Sequence, residues 1–258
     1  MPFKNTPSNA AHRRRRLAAA CALALLTSGC ASLPDDQPRD ERDPWERYNR
    51  AMYSFNESVD RAVFKPVATA YKTVVPRPVR TGIGNFFGNL GDVWSFVNNV
   101  LQGKAEGALT SFWRVAINTT IGLGGVFDAA SDLQLERQPE DFGQTLGVWG
   151  VGSGPYLVLP LFGPSSLRDT VAMPVNYYGS PLTYFKGMRT RNTLTFTRVV
   201  HTRASLLEVT DILQGASLDD YSFTRDAYLQ KRRNDIYDGN PPQDEERYDL
   251  DEPEEPQP

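Results

Sequence analysis

Histidine is the scarcest of the residues that could carry out catalysis in this chain. Of the two histidines, only His201 lies beyond the first 29 residues, so any Ser-His-Asp or Cys-His mechanism would depend on it. The sequence around His201 predicts a helix without a nearby nucleophile, which favours a structural or surface role. Gly152-Ser153-Gly154 has Val151 where a nucleophile elbow requires glycine. The sequence therefore argues against catalysis, and we expect a protein that is not an enzyme.

Metal binding is the second chemistry that the residue types could support. Asp128, Asp132, Glu136, Glu140 and Asp141 form an acidic series that could hold calcium. The EF-hand spacing with its central glycine is absent, and no Cys or His cluster suits zinc. We interpret these acids as solvated loop charge and expect neither a metal nor another cofactor.

Cys30 has surroundings that indicate a covalent modification. His12 and Arg13 to Arg16 make a basic start, and the apolar run after them is shorter than the about 20 residues that span a bilayer. This order is typical of a signal peptide. Leu26-Thr27-Ser28-Gly29-Cys30 resembles a bacterial lipobox, with threonine where leucine is more usual. We predict that residues 1–29 are removed and that Cys30 is lipidated.

The alternative is ordinary secretion with Cys30 incidental. Cys21 is the only other cysteine and lies inside the predicted signal, so the mature chain would have one thiol and no disulfide in an oxidising compartment. Ala31 stands where lipoproteins retained in the inner membrane usually carry aspartate. By resemblance to sorting in enteric bacteria, this points to the outer membrane.

Charge is distributed unevenly along the chain. Removing the five positive charges of residues 1–29 from the formal net charge of -3 leaves -8, and residues 235–258 carry ten acids against Arg247. Residues 30–234 are therefore close to neutral, which excludes a basic nucleic-acid-binding surface. We predict a flexible tether over 30–43, one domain over 44–238 and an acidic disordered tail over 239–258.

The domain is predicted to be all-α. Asp43-Pro44 has the form of a helix start, and an apolar stripe follows it at helical spacing. Further helices are predicted over 64–74, Val79 to about Leu101, 106–119, a short segment near 141–146, a segment from Ser165 or Ser166 to Pro174, 182–213 and 218–237. Strand-like alternation is confined to 156–162.

Three segments are unusually poor in charge. Charged residues make up 23% of the chain, yet 81–103 holds only Asp92, and neither 115–127 nor 142–167 holds any. The helix predicted over 79–101 is apolar around most of its circumference. Its polar residues Asn85, Asn89, Asp92 and Asn99 fall within about 80° of each other at 100° per residue.

A helix that is apolar nearly all round is buried either in a large core or in lipid. A domain of this size has few places to bury several such segments, which favours lipid. Irregular, glycine-rich backbone at membrane depth requires cover by protein or by a water-filled cavity. We therefore expect a helical disc embedded in one leaflet, with an amphipathic passage that suits phospholipids. The alternative is a soluble helical protein with a well-filled core.

Several blocks of the sequence strongly resemble the MlaA (VacJ) lipoprotein family. The resemblance spans roughly 43–238 and departs in the linker and the acidic tail. The matching blocks are Asp43 to Asn56, Lys65 to Ala68, Pro76 to Arg80, Asn85 to Leu90, Gly122 to Ala130, Asp141 to Gly147, Gly150 to Gly152, Gly154 to Tyr156, Leu159-Pro160 and Leu167 to Asp169.

The resemblance implies retrograde phospholipid transport that maintains outer-membrane lipid asymmetry. It implies a lipid-anchored, ring-like helical protein on the periplasmic face, embedded in the inner leaflet of the outer membrane and bound to a trimeric porin. Phospholipids would leave for a periplasmic lipid carrier and, through it, an inner-membrane ABC transporter. The competing hypotheses are a structural lipoprotein or assembly factor without a passage, and a tethered envelope lipid hydrolase.

The candidate site residues are those that could line or gate the passage. Asn85, Asn89 and Asp92 are alternatively a solvated face or a set of interhelical hydrogen bonds. Phe55 and Asn56 hold the passage wall or, alternatively, provide core packing and a helix end. The resemblance further implies a glycine-rich loop beside the passage, which here contains Gly122, Gly124 and Gly125.

Overall fold

The computed structural model describes residues 40–216 and 218–242. The predicted signal peptide, Cys30 and the acidic tail beyond 242 lie outside the described residues. Within the described part the helices and strands, in chain order, are α1 Glu46–Val59, a π-helical turn Asp60–Phe64, α2 Lys65–Val74, α3 Arg77–Gln102, α4 Ala105–Thr120, α5 Ala129–Asp132, α6 Phe142–Val148, β1 Tyr156–Leu159, β2 Gly163–Ser166, α7 Leu167–Gly179, a 3-10 turn Pro181–Tyr184, α8 Met188–Ala216 and α9 Asp220–Ile236.

The first helix begins later than its sequence predicts. Helix α1 starts at Glu46, and the Asp43 side chain makes no cap for it. Asp43 is 1% exposed and accepts hydrogen bonds from Asn49 and from the Tyr221 hydroxyl. The Asp43 carboxylate is therefore engaged by tertiary contacts, and the backbone N–H of Tyr156 donates to the Arg42 carbonyl. The last residues of the predicted tether thus already contact the folded domain.

Helix α3 has the boundaries that its sequence favours. Pro78 lies in the first turn, where its missing N–H is not needed. Gly103 ends the helix at a φ of 74°, a left-handed conformation that glycine adopts without strain. Helix α4 follows after one further residue and packs along α3, while α2 packs on α8.

A small antiparallel hairpin interrupts the otherwise helical domain. Tyr156 of β1 pairs with Ser166 of β2, and Leu159 pairs with Gly163. Ser166 then caps α7 by accepting a hydrogen bond from the Asp169 backbone. The all-α prediction is confirmed for the domain as a whole, with this hairpin in the one region where the sequence alternates.

Helix α7 does not end at Pro174, as its sequence predicts, but continues to Gly179. A proline inside a helix removes one backbone hydrogen bond. Beyond it, the Asn176 side chain accepts hydrogen bonds from the Trp94 indole at 2.9 Å and the Phe142 backbone at 2.8 Å. These tertiary contacts hold the second half of the helix.

The distribution of polar and apolar side chains departs from that in water-soluble proteins, because many polar side chains are buried and many large apolar ones are exposed. Such proteins bury aliphatic and aromatic residues and leave charged ones exposed. Here Arg114, Asn98 and Asn118 are at most 1% exposed, whereas Trp113 is 53% exposed. Other large apolar side chains on the surface include Phe112, Phe127, Trp149, Leu161, Phe162, Val171 and Phe196. Within the described residues, no helix combines the length and the apolar character needed to cross a bilayer.

Candidate functional site: a polar framework and two adjoining cavities on helix α3

The centre of the polar framework is a buried ion cluster between α3 and α4. Arg114 Nε donates to Asp92 at 3.0 Å, and Arg114 Nη2 donates to both oxygens of Asp128 at 2.9 and 3.0 Å. Arg137 lies 3.1 Å from the other Asp92 oxygen. Two arginines and two aspartates thus neutralise one another, as the buried charges of Arg114 and Asp92 require.

The two aspartates of this cluster differ in their pKa. Burial raises the pKa of Asp92 and outweighs the opposing effect of Arg137 and Arg114. Burial also acts to raise the pKa of Asp128, but hydrogen bonds from Ser131, Asn118 and Arg114 lower it to about 2. Asp128 is therefore firmly ionised, and it anchors the segment that follows α4.

The glycine-rich segment 122–127 lies against α3, where Asn85 bonds it and Asn89 packs closely on Gly125. Asn85 donates to the Val126 carbonyl at 3.1 Å, and Asn89 donates to the Thr119 hydroxyl at 3.1 Å. Gly125 has a φ of 89°, and a Cβ built there would lie 2.6 Å from Asn89 Cβ. Only glycine satisfies both the conformation and the close approach.

The structure thus brings six of the predicted site residues together: Asn85, Asn89, Asp92, Gly122, Gly124 and Gly125. Asn89 and Asp92 are buried against protein, so they make interhelical hydrogen bonds, one of the alternatives that the sequence left open. Asn85 is half-buried and lines two cavities.

Asn56 lies against a different part of the fold, and Phe55 precedes it in the same helix. Asn56 donates to the Leu159 carbonyl at 2.9 Å and accepts from the Leu161 backbone at 2.7 Å, so it holds the turn of the hairpin. Phe55 is 46% exposed. Asn49, one helical heptad earlier, was missed by the sequence analysis; it bonds Asp43 and both ends of the Tyr156–Val158 stretch.

Two cavities adjoin each other along α3. One has a volume of about 680 Å³ and a mostly apolar wall. The other also has about 680 Å³, and its wall is polar and basic. They share Thr81 and Asn85. The apolar wall includes Val79, Ile83, Phe86, Phe87, Val126, Phe127 and Leu194; the polar wall consists of Arg77, Arg80, Thr81, Gly84, Asn85, Arg137 and His201.

His201 forms part of the polar wall. Its Nδ1 lies 3.1 Å from the Tyr71 hydroxyl, and its Nε2 faces Gly84, where a built Cβ would lie only 2.8 Å away. Burial, followed by the positive charge of Arg80, lowers the pKa of His201 below its usual value. The imidazole is therefore neutral at pH 7, and its Nδ1 partner is a tyrosine.

The sequence analysis did not select the arginines of this wall. Arg77 and Arg80 are one helical turn apart at the start of α3, and this i, i+3 spacing places them on the same face. That spacing is the feature of the sequence that could have identified the two arginines as a pair. The role of Arg137 could not be read from the sequence, because it approaches α3 from a distant loop. The acidic series that it interrupts holds no metal site: among the described residues, no group of three or more potential ligands is suitably placed.

These features define a class of protein: a helical domain with a polar internal framework, many exposed large apolar side chains, and adjoining polar and apolar cavities. The chain belongs to the MlaA lipoprotein family, whose model matches residues 41–235. The family resemblance found in the sequence is thereby confirmed.

Relatives and a solved structure support this assignment. The Escherichia coli K12 intermembrane phospholipid transport system lipoprotein MlaA is 38% identical over 220 residues, covering 84% of this chain and 86% of the relative. The Haemophilus influenzae protein of the same name is 33% identical, covering 88% and 92%. A solved structure, from a study of the structural basis for maintenance of bacterial outer membrane lipid asymmetry, matches with a TM-score of 0.68 and 36% identity, covering 78% of this chain and all of that one.

Proposed function

We propose that this protein removes misplaced phospholipids from the outer leaflet of the outer membrane and passes them to a periplasmic carrier, so that the membrane keeps its lipid asymmetry. Membership of the MlaA family supports this function, as do the names of the relatives, which place them in an intermembrane phospholipid transport system. The protein acts as a conduit, without catalysis and without a metal or organic cofactor.

The adjoining cavities on α3 are the observation that carries this proposal. A phospholipid has a charged phosphate and two apolar chains joined through one glycerol. A basic cavity and an apolar cavity that share Thr81 and Asn85 match that arrangement of polar and apolar parts. Asn85 is therefore the residue that we assign to the wall of the passage.

The exposed apolar side chains support an embedded position. Trp113 and Phe127 are more than half exposed, and contact with acyl chains would remove this surface from water. We propose that the domain is embedded in the inner leaflet on the periplasmic face, with Cys30 as its lipid anchor. The buried Asn89 and Asp92 then provide the framework behind the passage wall.

The glycine-rich segment contributes to the passage through the residues that it places there. Gly122 lets the chain reverse, because a Cβ at that position would lie 2.2 Å from the Phe127 carbonyl oxygen. Gly124 and Gly125 continue the turn at positive φ. The turn brings Val126 and Phe127 into the wall of the apolar cavity. Asn56 acts at the hairpin, where it holds the turn, and Phe55 beside it in sequence is partly exposed.

The partners follow from the family resemblance. We propose a trimeric porin as the membrane partner, a periplasmic lipid carrier as the acceptor and an inner-membrane ABC transporter beyond it. Nucleic acid is not a partner, since the folded part has no net basic excess.

The test measures outer-leaflet phospholipid in a deletion strain, with and without this gene restored. We expect the wild-type gene to return outer-leaflet phospholipid to its normal low level. Asn85→Trp should block the passage and leave phospholipid in the outer leaflet, although the variant is still inserted in the membrane. Asn192→Trp is the matched control, because Asn192 is exposed on α8 and lines neither cavity.

Two outcomes would favour the competing hypotheses. Full transport by Asn85→Trp would support a structural lipoprotein or assembly factor without a passage. Release of fatty acid from phospholipid vesicles by the pure protein would support a tethered lipid hydrolase.

A further inference from the structure

The polar cavity on α3 carries positive charge that no direct ion pair among the described residues balances. Among the described residues, no ion pair or hydrogen bond engages the side chains of Arg77 and Arg80, and Arg80 Nε is buried without a hydrogen-bond partner. The Glu208 carboxylate is paired with Lys72, and it acts on Arg77 and Arg80 only through electrostatics beyond ion-pair distance. A buried guanidinium nitrogen without an acceptor costs free energy, which a bound anion would recover.

The other charges near this cavity are already neutralised. Arg137 is paired with Asp92 at 3.1 Å and lies 3.7 Å from Asp128, and Arg114 takes the remaining oxygens of both acids. The wall of the cavity contains no carboxylate. The net charge facing the cavity is therefore that of Arg77 and Arg80.

Two glycines make room for the donors of this cavity. A Cβ built at Gly84 would lie 2.8 Å from His201 Nε2, and one built at Gly88 would lie 2.2 Å from Arg137 Nη1. Gly84 and Gly88 are one turn apart on α3, on the same face as Arg77 and Arg80. Only a strip of small residues lets an imidazole and a guanidinium approach the helix so closely.

We propose that Arg77 and Arg80, with His201 and Arg137 at the sides, bind the phosphodiester of a phospholipid whose acyl chains occupy the adjoining apolar cavity. This inference rests on the proposed function and assigns the residues that recognise the lipid. Arginine suits the task because its fork of N–H donors matches phosphate oxygens. His201, hydrogen-bonded at Nδ1 to Tyr71, adds a neutral group whose Nε2 faces the same space.

The residues of the wall also predict which headgroups the site does not distinguish. Every glycerophospholipid has the phosphodiester, so phosphatidylethanolamine, phosphatidylglycerol and cardiolipin should all bind. Without a carboxylate in the wall, the site offers no partner for an ethanolamine ammonium group, and anionic headgroups should bind at least as well. Diacylglycerol has the same chains without the phosphate and should bind weakly.

The experiment uses the full lipoprotein in detergent micelles and a phospholipid with a fluorescent acyl chain. Competition by dioleoyl phosphatidylglycerol is compared with competition by dioleoylglycerol. We expect the phospholipid to compete at least about tenfold better, because charge-assisted hydrogen bonds are worth 1.5 kcal/mol or more. The double variant Arg77→Gln with Arg80→Gln should bring the ratio close to one and leave competition by dioleoylglycerol unchanged.

Two further variants control for charge and for folding. Arg47→Gln with Arg61→Gln removes two exposed positive charges, one on α1 and one on the π-helical turn after it. This variant should keep the wild-type ratio. Arg77→Lys with Arg80→Lys keeps the charge but loses the fork, and we expect an intermediate ratio. Circular dichroism melting should show the same fold for all three double variants. An unchanged ratio in the double glutamine variant would overturn the proposal.

Water-soluble anions separate a lipid site from a site for free phosphate. Inorganic phosphate and glycerophosphoglycerol should not displace the fluorescent lipid at millimolar concentration, because they leave the apolar cavity empty. Displacement as effective as that by phosphatidylglycerol would contradict a lipid site. If the wild-type gene clears outer-leaflet phospholipid in cells but the pure protein shows no preference for phosphate, this inference fails and the proposed function stands. If the pure protein prefers phosphate but the gene does not clear outer-leaflet phospholipid, the binding site stands and the proposed function fails.

Discussion

Arg114 Nε lies 3.0 Å from Asp92 Oδ2, and the two side chains are 1% and 2% exposed. This pair joins α3 to α4 at the centre of the polar framework, and Arg114 extends the contact to Asp128. The two longest early helices are therefore held together by charge and hydrogen bonds, while their aromatic side chains are free to face outward.

Removing Arg114 should destabilise the protein strongly. Arg114→Met leaves Asp128 with Arg137 at 3.7 Å as its remaining ion-pair partner, and breaking a buried pair from one side costs about 3 to 5 kcal/mol. Denaturant unfolding in detergent, followed by circular dichroism, measures this cost. Adding Asp92→Asn should recover part of it, because the interior then holds one unbalanced charge fewer. A loss below about 1 kcal/mol would mean that the cluster is solvated.

Gly125 and Gly124 form a matched pair in the glycine-rich segment. Both have positive φ, but a Cβ at Gly125 meets Asn89 at 2.6 Å while nothing lies within 4 Å of one at Gly124. Gly124→Ala should cost about 1 to 2 kcal/mol through backbone strain alone. Gly125→Ala should cost more and also impair lipid transport, since it pushes the segment off α3. Equal effects in the unfolding and transport assays would refute the role of the contact.

Asn49 should be among the most sensitive asparagines for folding. Its side chain donates to Asp43 and the Tyr156 carbonyl and accepts from the Val158 backbone, at 2.7 to 3.0 Å. Asn49→Leu loses three buried hydrogen bonds, a loss of about 3 kcal/mol. The unfolding midpoint of the variant should fall well below that of Asn192→Leu, an exposed control. Similar midpoints for both would show that the hairpin does not depend on Asn49.

Acid should destabilise the contact between α7 and α9. Burial alone would raise the pKa of Asp169, but Arg232, the Tyr228 hydroxyl and Arg168 lower it to about 2. Because this pKa is below the ordinary value of 3.8, the stabilisation is fully present above about pH 5 and is lost as the pH falls through the folded-state pKa. The shift corresponds to about 2 kcal/mol. The melting temperature should fall between pH 6 and pH 3, and Asp169→Asn should flatten this dependence.

Trp113 reports on the embedding of the domain. It is 53% exposed, whereas the Trp94 indole is hydrogen-bonded to Asn176 at 2.9 Å within the protein. In vesicles with brominated acyl chains, a variant that retains only Trp113 should be strongly quenched and one that retains only Trp94 weakly quenched. Equal, weak quenching would place the α4 surface in water.

Local sequence signals were sufficient for most of the helices. The boundaries of α3 follow from Pro78 and Gly103, because proline and glycine restrict or release the backbone without help from tertiary contacts. Helix α7 is one whose end the local sequence does not predict. Pro174 predicts an end, but contacts of Asn176 with Trp94 and Phe142 continue the helix, and their partners are distant in sequence.

The residues of the candidate site also divide into those that the local sequence could identify and those that only the fold reveals. Asn85, Asn89 and Asp92 could be selected because helical periodicity alone places them on one stripe. Whether that stripe meets water, lipid or protein depends on what packs over it, and the structure covers Asn89 and Asp92 with α4 and the glycine-rich segment. Arg137 could not be selected, since it reaches Asp92 of α3 from a loop 45 residues further along the sequence.

The sequence by itself determined the helical class, the family and the scarcity of charge in the central segments, because composition and periodicity are properties of neighbouring residues. The tertiary structure decided which of those residues face inward. It placed Arg114 between Asp92 and Asp128 and left Arg77 and Arg80 without a direct ion pair among the described residues. The electrostatic energy of an ion pair depends on the distance between the two charges in space. It does not depend on how far apart the two residues are along the chain.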